Sequence, residues 1–187
     1  MKKIILYLLA LLPVRLMAGD YVAEINAAPG KNAEGCRVIY EMNVGMFTSE
    51  GTFSAASQQL ASLKQLGIDI VWLMPVYPRG GGINSPYAAT DFQLVNPSYG
   101  SVGDLRAFVA QAHELDMEVW LDWVPNHTAT DAKWVATHPE YYVRNGSTFV
   151  HPNNYGDVYQ LDYNNPELRK AMNDCLKFWI DEADVDG

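Results

Sequence analysis

The sequence predicts an α/β chain built on a parallel sheet, and three observations carry that prediction. Short apolar or β-branched runs alternate with segments that keep the i, i+3, i+4, i+7 spacing of amphipathic helices. Links from helix to strand are short, a few residues around Gly67 and around Asp116, while links from strand to helix are long. The elaborate segments therefore all lie at the carboxyl ends of the strands, where closed barrels and open sheets alike place their sites. No Gly-x-Gly-x-x-Gly follows the first strand, and Gly80-Gly81-Gly82 reads as a turn that opens no helix, so a dinucleotide-binding fold loses support. On these grounds alone the sheet is either doubly wound or closed into a barrel.

Each element has its own justification. Val38 to Met42 is short, β-branched and bounded by turn residues, as a strand is. Phe53 to Leu66 follows as a helix, with Ala56, Leu60, Leu63 and Gly67 on one face and Gly67 able to end it. Ile68 to Met74 is a continuous apolar run stopped by Pro75, the pattern of a strand buried on both faces. After a segment rich in Pro, Gly and Asn, Leu105, Phe108, Val109 and Ala112 mark the next helix, and Met117 to Val124 the next strand. A long, mostly irregular stretch leads to Asn165-Pro166-Glu167, which combines a capping amide, a first-turn proline and an acid beside the helix dipole. Leu168, Met172, Cys175, Leu176 and Trp179 form the expected buried face of that helix, and Ala183 to Gly187 begins a further strand.

The 187 residues suffice for one domain with a sizeable core. A formal charge of −9 argues against a basic groove for nucleic acid and favours neutral or cationic partners. Lys2 and Lys3, the apolar stretch Ile4 to Val14 and the small residue Ala18 read as an export signal over residues 1–18, leaving residues 19–187 as the mature part. An uncleaved anchor or a soluble helix are the alternatives; the stretch is too short for a stable membrane span. Export implies a periplasmic, extracellular or surface location. The two cysteines, Cys36 and Cys175, read as packed thiols more readily than as a disulfide, and no zinc-type spacing is present.

The densest chemistry is DWVPNH, Asp122 to His127. Polar groups bunched at the end of a buried strand are costly unless they have partners or a use. Asp122 at the strand's end, with Asn126 and His127 after the turn forced by Pro125, suits either a site or a satisfied structural network.

DWVPNH resembles the first signature region of the α-amylase family, glycoside hydrolase family 13. GIDIVWLMPVYP (Gly67 to Pro78) is similar to that family's second strand, and SPYAATDFQLVNPSYGSVGDL (Ser85 to Leu105) to the loop that follows it. YQLDYNNPELR (Tyr159 to Arg169) resembles the exit from the domain inserted after the third strand, and DVDG (Asp184 to Gly187) the approach to the fourth. The resemblance implies a (β/α)8 TIM barrel, of which this chain holds the amino-terminal half, with a short B-domain-like insertion over residues 127–164. It implies a retaining glycosidase acting on α-glucans or malto-oligosaccharides, in which one carboxylate attacks the anomeric carbon and another protonates the leaving oxygen. By the same resemblance Tyr87 stacks under the sugar and His127 hydrogen-bonds its hydroxyls. Asp122 holds an arginine, Asp91 is a supporting acid, and Asn126 with Asp162 match positions that bind calcium in many members. The nucleophile and the acid/base are expected beyond Gly187, so the chain alone is expected to be inactive. A non-catalytic carbohydrate-binding or assembly protein of the same fold is the alternative.

Overall fold

The computed structural model describes residues 36–81 and 85–187. The expected export signal and part of the glycine turn lie outside the described residues. Strands β1 (Ile39–Met42), β2 (Ile70–Leu73) and β3 (Glu118–Leu121) form a parallel sheet in that order. The register sets Tyr40 beside Val71 and Val71 beside Val119, and likewise Met42 beside Leu73 and Leu73 beside Leu121. These rows face the helices and enter the main core. With a period of two, the other face carries Glu41, Trp72 and Trp120 in a single row. Trp72 is 36% exposed there, so this face is only partly covered among the described residues.

The helical segment after β1 is more broken than its periodicity predicts. A single turn, α1 (Val44–Phe47), comes first, and the expected helix divides into α2 (Phe53–Ser57) and α3 (Leu60–Gln65). Thr52 caps α2 by accepting from Ala55 N, and Gln58 N–H then turns to both Ala55 O and Ala56 O, the tight bonding of a helix end. Helix α4 (Val102–Glu114) starts at a capping box, Ser101 with Asp104, and buries Leu105, Phe108, Val109 and Ala112 as expected. Gly100 precedes it at φ +130°, and a Cβ there would lie 2.8 Å from Asp104 Oδ2, so the box itself requires glycine.

Between β3 and the last helix lie short elements that the sequence left irregular. They are β4 (His127–Ala129), α5 (Lys133–Thr137), β5 (Arg144–Asn145), β6 (Thr148–Phe149) and β7 (Val158–Gln160). β4 pairs antiparallel with β7, and β5 with β6. Strands of two or three residues are too short to show a period.

Helix α6 (Pro166–Ala183) begins where predicted, with the Asn165 side chain accepting from Glu167 N, and it buries Leu168, Met172, Cys175 and Trp179. Leu176 departs from the expectation: it is 41% exposed. It stands one turn before the exposed Ile180, and both line an apolar groove with Leu121, Trp123 and Val185 at the flank of β3. The expected strand from Ala183 is only begun. Ala183 ends α6, and Asp184 caps it in the left-handed conformation. Asp186 N then donates to Val119 O and Leu121 N to Gly187 O, the first rungs of a ladder beside β3. His113 Nε2 holds Asp186 Oδ2 at 2.9 Å, and the same oxygen accepts from Val119 N.

Both cysteines are free, Cys36 exposed and Cys175 buried. Among the described residues no helix is long and apolar enough to cross a membrane.

Candidate sugar-binding site at the carboxyl end of the third strand

Asp122 continues the ladder of β3, its N–H donating to Leu73 O at 2.9 Å. Its carbonyl accepts from the buried Tyr77 hydroxyl at 3.0 Å. Burial pushes the Tyr77 phenol far up, so that hydroxyl remains a donor throughout the working range of pH. The Tyr87 hydroxyl lies within electrostatic reach of the Asp122 carboxylate. Burial raises the Asp122 carboxyl above the usual range; the Tyr87 hydroxyl opposes the shift and the nearby Glu41 charge adds to it.

Tyr87 belongs to the loop after β2, which is folded back on itself by Gly80 N to Ala88 O and Thr90 N to Pro78 O. The insertion docks on the same loop through Ala129 N to Ala89 O and Lys133 N to Thr90 O. This docking carries His127, the first residue of β4, to Tyr87. Imidazole Nδ1 accepts from Asn126 Nδ2 at 3.0 Å, and the ring lies close to the Tyr87 backbone. Desolvation holds His127 below its ordinary value and keeps the ring neutral, the state in which Nδ1 can accept. A cavity of about 330 Å³ opens here, lined by Ser85, Tyr87 and His127 together with Tyr155, Asp157 and Val158.

Asp91 stands apart from these groups. It accepts from Gln93 N and pairs with Lys133 at 3.5 Å, so it ties the loop after β2 to α5 and fits a supporting role. Asn126 and Asp162, the positions matched to calcium ligands, are engaged by protein donors in this arrangement. Gln160 Nε2 lies 3.0 Å from Asn126 O, 3.1 Å from Asn126 Oδ1 and 3.5 Å from Leu161 O. Asp162 Oδ1 is used locally, accepting from Asn164 N and Nδ2. Among the described residues no cluster of three His, Cys, Asp or Glu is placed to hold a metal. Trp134 packs edge-on to Tyr141 and against Phe92, partly buried beside the core. Sequence reasoning missed Glu41, Tyr155 and Asp157. Glu41 had a signal, an acid inside a strand run; the other two lie in a turn whose sequence shows only Asn, Gly and Pro.

The profile of the alpha amylase catalytic domain matches residues 21–160. The chain belongs to the α-amylase family. Members of this family are glycoside hydrolases. The chain is 32% identical over 151 residues to the malto-oligosyltrehalose trehalohydrolase of Saccharolobus solfataricus, covering 80% of this chain and 26% of that protein. It is similar in structure to a maltogenic alpha-amylase from Thermotoga neapolitana, with a TM-score of 0.76, 38% identity and coverage of 81% of this chain and 38% of that one. An alpha-amylase from Lactobacillus plantarum superposes with a TM-score of 0.74 at 35% identity, covering 79% and 36%. The chain therefore spans about a quarter to two fifths of the length of these α-amylase-family relatives.

Proposed function

We propose that this chain supplies the first βα units and the B-domain-like insertion of a retaining glycosidase that cleaves α-glucosidic bonds in starch-like substrates or malto-oligosaccharides. The observation that carries the reading is that Tyr87 and His127 line one cavity, with Asp122 within electrostatic reach of Tyr87. An aromatic ring, a neutral imidazole and an ordered carboxylate suit a neutral polyol: the ring stacks on a C–H face and the other two bond hydroxyls. Asp122 and Asp91 act as supporting groups. Asp91 and Asp162 are engaged in structural bonds and Asp122 lies against Tyr87, which fits supporting roles for all three. The whole protein would draw its nucleophile and acid/base, about 5 Å apart in a retaining enzyme, from outside these residues. The 187-residue chain would then bind malto-oligosaccharides without hydrolysing them. In this reading the protein is exported, the neutral glycan is its partner, and nucleic acid is not.

The test is isothermal titration of the chain with maltotetraose, beside a starch and chromogenic α-glucoside assay. Tyr87→Ala is expected to weaken binding about three- to tenfold, the loss of one stacking face. Turnover by the chain that survives purification and disappears in Asp122→Asn would overturn the supporting role given to Asp122.

A further inference from the structure

We propose that His113 is a positioning residue: through Asp186 it locks the register of the strand that begins after α6, and so decides which side chains that strand turns toward the end of β3. The strand runs parallel to β3 in the direction of Asp122, and its bearing on the sugar site rests on the glycosidase reading. The amides of β3 divide between two neighbours. Glu118 N and Asp122 N donate to Asp69 O and Leu73 O on the β2 side, whereas Val119 N and Leu121 N turn to the other edge. Leu121 N donates to Gly187 O at 2.8 Å, and Val119 N takes a side chain, Asp186 Oδ2, at 2.8 Å. Asp186 N returns a bond to Val119 O at 2.9 Å, so one residue engages both polar groups of Val119. His113 Nε2 lies 2.9 Å from the same Oδ2; a carboxylate offers only lone pairs, so the ring nitrogen donates. Asp184, the other acid near the ring, is 3.9 Å from Nδ1 and largely exposed, which leaves Asp186 as the anchor. Arg106, two turns before His113 on α4, reaches Glu182 O at the end of α6, so one helix face holds both the helix end and the first rung after it.

The next position is fixed from the opposite face of the sheet. A Cβ at Gly187 would lie 2.9 Å from Trp120 Cδ1 and 3.0 Å from Trp120 Nε1. Trp120 does not yield freely. Its Nε1 donates to Glu118 Oε2 at 3.0 Å, and Arg37 clamps both oxygens of that carboxylate at 3.0 and 2.9 Å. Successive strand residues face opposite sides, so a slip by one residue exchanges the two faces. The carboxylate would then be driven against the Trp120 ring, and His113 would face a glycine with nothing to accept its proton. His113 thus supplies the attraction that favours one register, and Trp120 the steric bar against its neighbour. Two main-chain bonds between this segment and β3 specify register weakly by themselves, and the side chains complete the choice.

The experiment is amide hydrogen exchange of the full chain, followed by NMR. The Val119 amide reports the lock, while the Glu118 and Asp122 amides, bonded on the β2 side, report the sheet. Removing the donor in His113→Phe, or the acceptor in Asp186→Ala, is expected to speed exchange at Val119 about tenfold or more and to leave Glu118 and Asp122 as in the parent. His113→Gln, whose amide N–H can stand near the place of Nε2, is expected to restore most of the protection. Parent-like exchange at Val119 in His113→Phe would overturn the proposal. So would equal acceleration at all three amides, the mark of general loosening, or a His113→Gln chain that exchanges as fast as His113→Phe. Titration with maltotetraose is read beside it. If the exchange pattern is as expected and the parent binds no maltotetraose, the glycosidase reading falls and the lock stands; if the parent binds and exchange is unaltered in His113→Phe, the lock falls and the reading stands.

Discussion

Tyr77→Phe removes one oxygen from a site where, among the described residues, its hydrogen-bond partner is a backbone atom at the end of β3. Tyr77 is 1% exposed, and its hydroxyl donates to Asp122 O at 3.0 Å. The ring contacts survive the change: centroids 5.7 Å from Phe92, 6.0 Å from Trp123 and 5.7 Å from Trp179. What is lost is the bond, and what remains is a carbonyl with a phenyl edge where its donor was. A net neutral hydrogen bond contributes about 1 kcal/mol, and leaving its partner unsatisfied in a buried place costs about 1–3 kcal/mol, so the expected loss is about 1.5 kcal/mol. With a urea m-value of about 2 kcal/mol/M, the midpoint should fall by roughly 0.7 M at unchanged slope. Tyr155→Phe, at an exposed ring, serves as control and should leave the midpoint in place. The same loss should loosen the end of β3 and weaken maltotetraose, because the Asp122 side chain beside Tyr87 sits on the released backbone. A midpoint for Tyr77→Phe equal to that of the control would refute the claim that Tyr77 holds the strand end.

Three further outcomes follow from the geometry. His127, whose folded value lies below its ordinary 6.5, should show an NMR titration midpoint under that figure; the unfolded state binds the proton first, so its contribution to stability is complete above 6.5 and is lost as pH falls through the folded value. A midpoint at or above 6.5 would contradict the desolvated ring. A calcium chelator should leave the melting temperature unchanged, whereas Gln160→Ala, which deletes the donor shared by Asn126 and Leu161, should lower it by about 2–4 °C by calorimetry. Gly100→Ala should destabilise by more than about 1 kcal/mol in urea, since φ +130° and the 2.8 Å approach to Asp104 both oppose a Cβ; an unchanged midpoint would show that the capping box gives way freely.

The legible parts of the fold are those governed by period. Ile70 to Leu73 is central in the sheet and announces itself as an unbroken apolar run, although Trp72 stays partly exposed on the face away from the helices. Helix α6 was legible at its start because Asn165, Pro166 and Glu167 each answer a requirement of a helix amino terminus. Leu176 was misplaced because helical spacing defines a face only to within a residue or so, and α6 carries a second apolar edge through Ile180. Within the site, Asp122, Tyr87 and His127 could be nominated because each sits in a stretch whose pattern is distinctive. Tyr155 could not. Its exposure follows from the left-handed backbone of Asn153 and Asn154, and the sequence shows those as an ordinary polar turn. Gln160 escaped notice for a similar reason: three oxygens meet its amide only because β7 pairs with β4.

The bonding pattern also says which parts of the site move together. The loop after β2 and the insertion are joined by Ala129 N to Ala89 O and Lys133 N to Thr90 O, and the insertion closes on itself by Thr130 N to Asp157 O and Leu161 N to Asn126 O. Tyr87, His127 and the Tyr155 turn therefore belong to one hydrogen-bonded body. Asp122 belongs to another, the sheet, through its N–H to Leu73 O. The side chain of Asp122 and its carbonyl, meeting Tyr87 and Tyr77, span the two. A carboxylate suits that junction because it accepts from a hydroxyl over a broad range of angles, so small adjustments of the upper body on a ligand need not break the contact. Replacing Asp122 by an aliphatic residue would leave the sheet intact and uncouple the sugar-binding body from it, a loss of affinity without loss of fold.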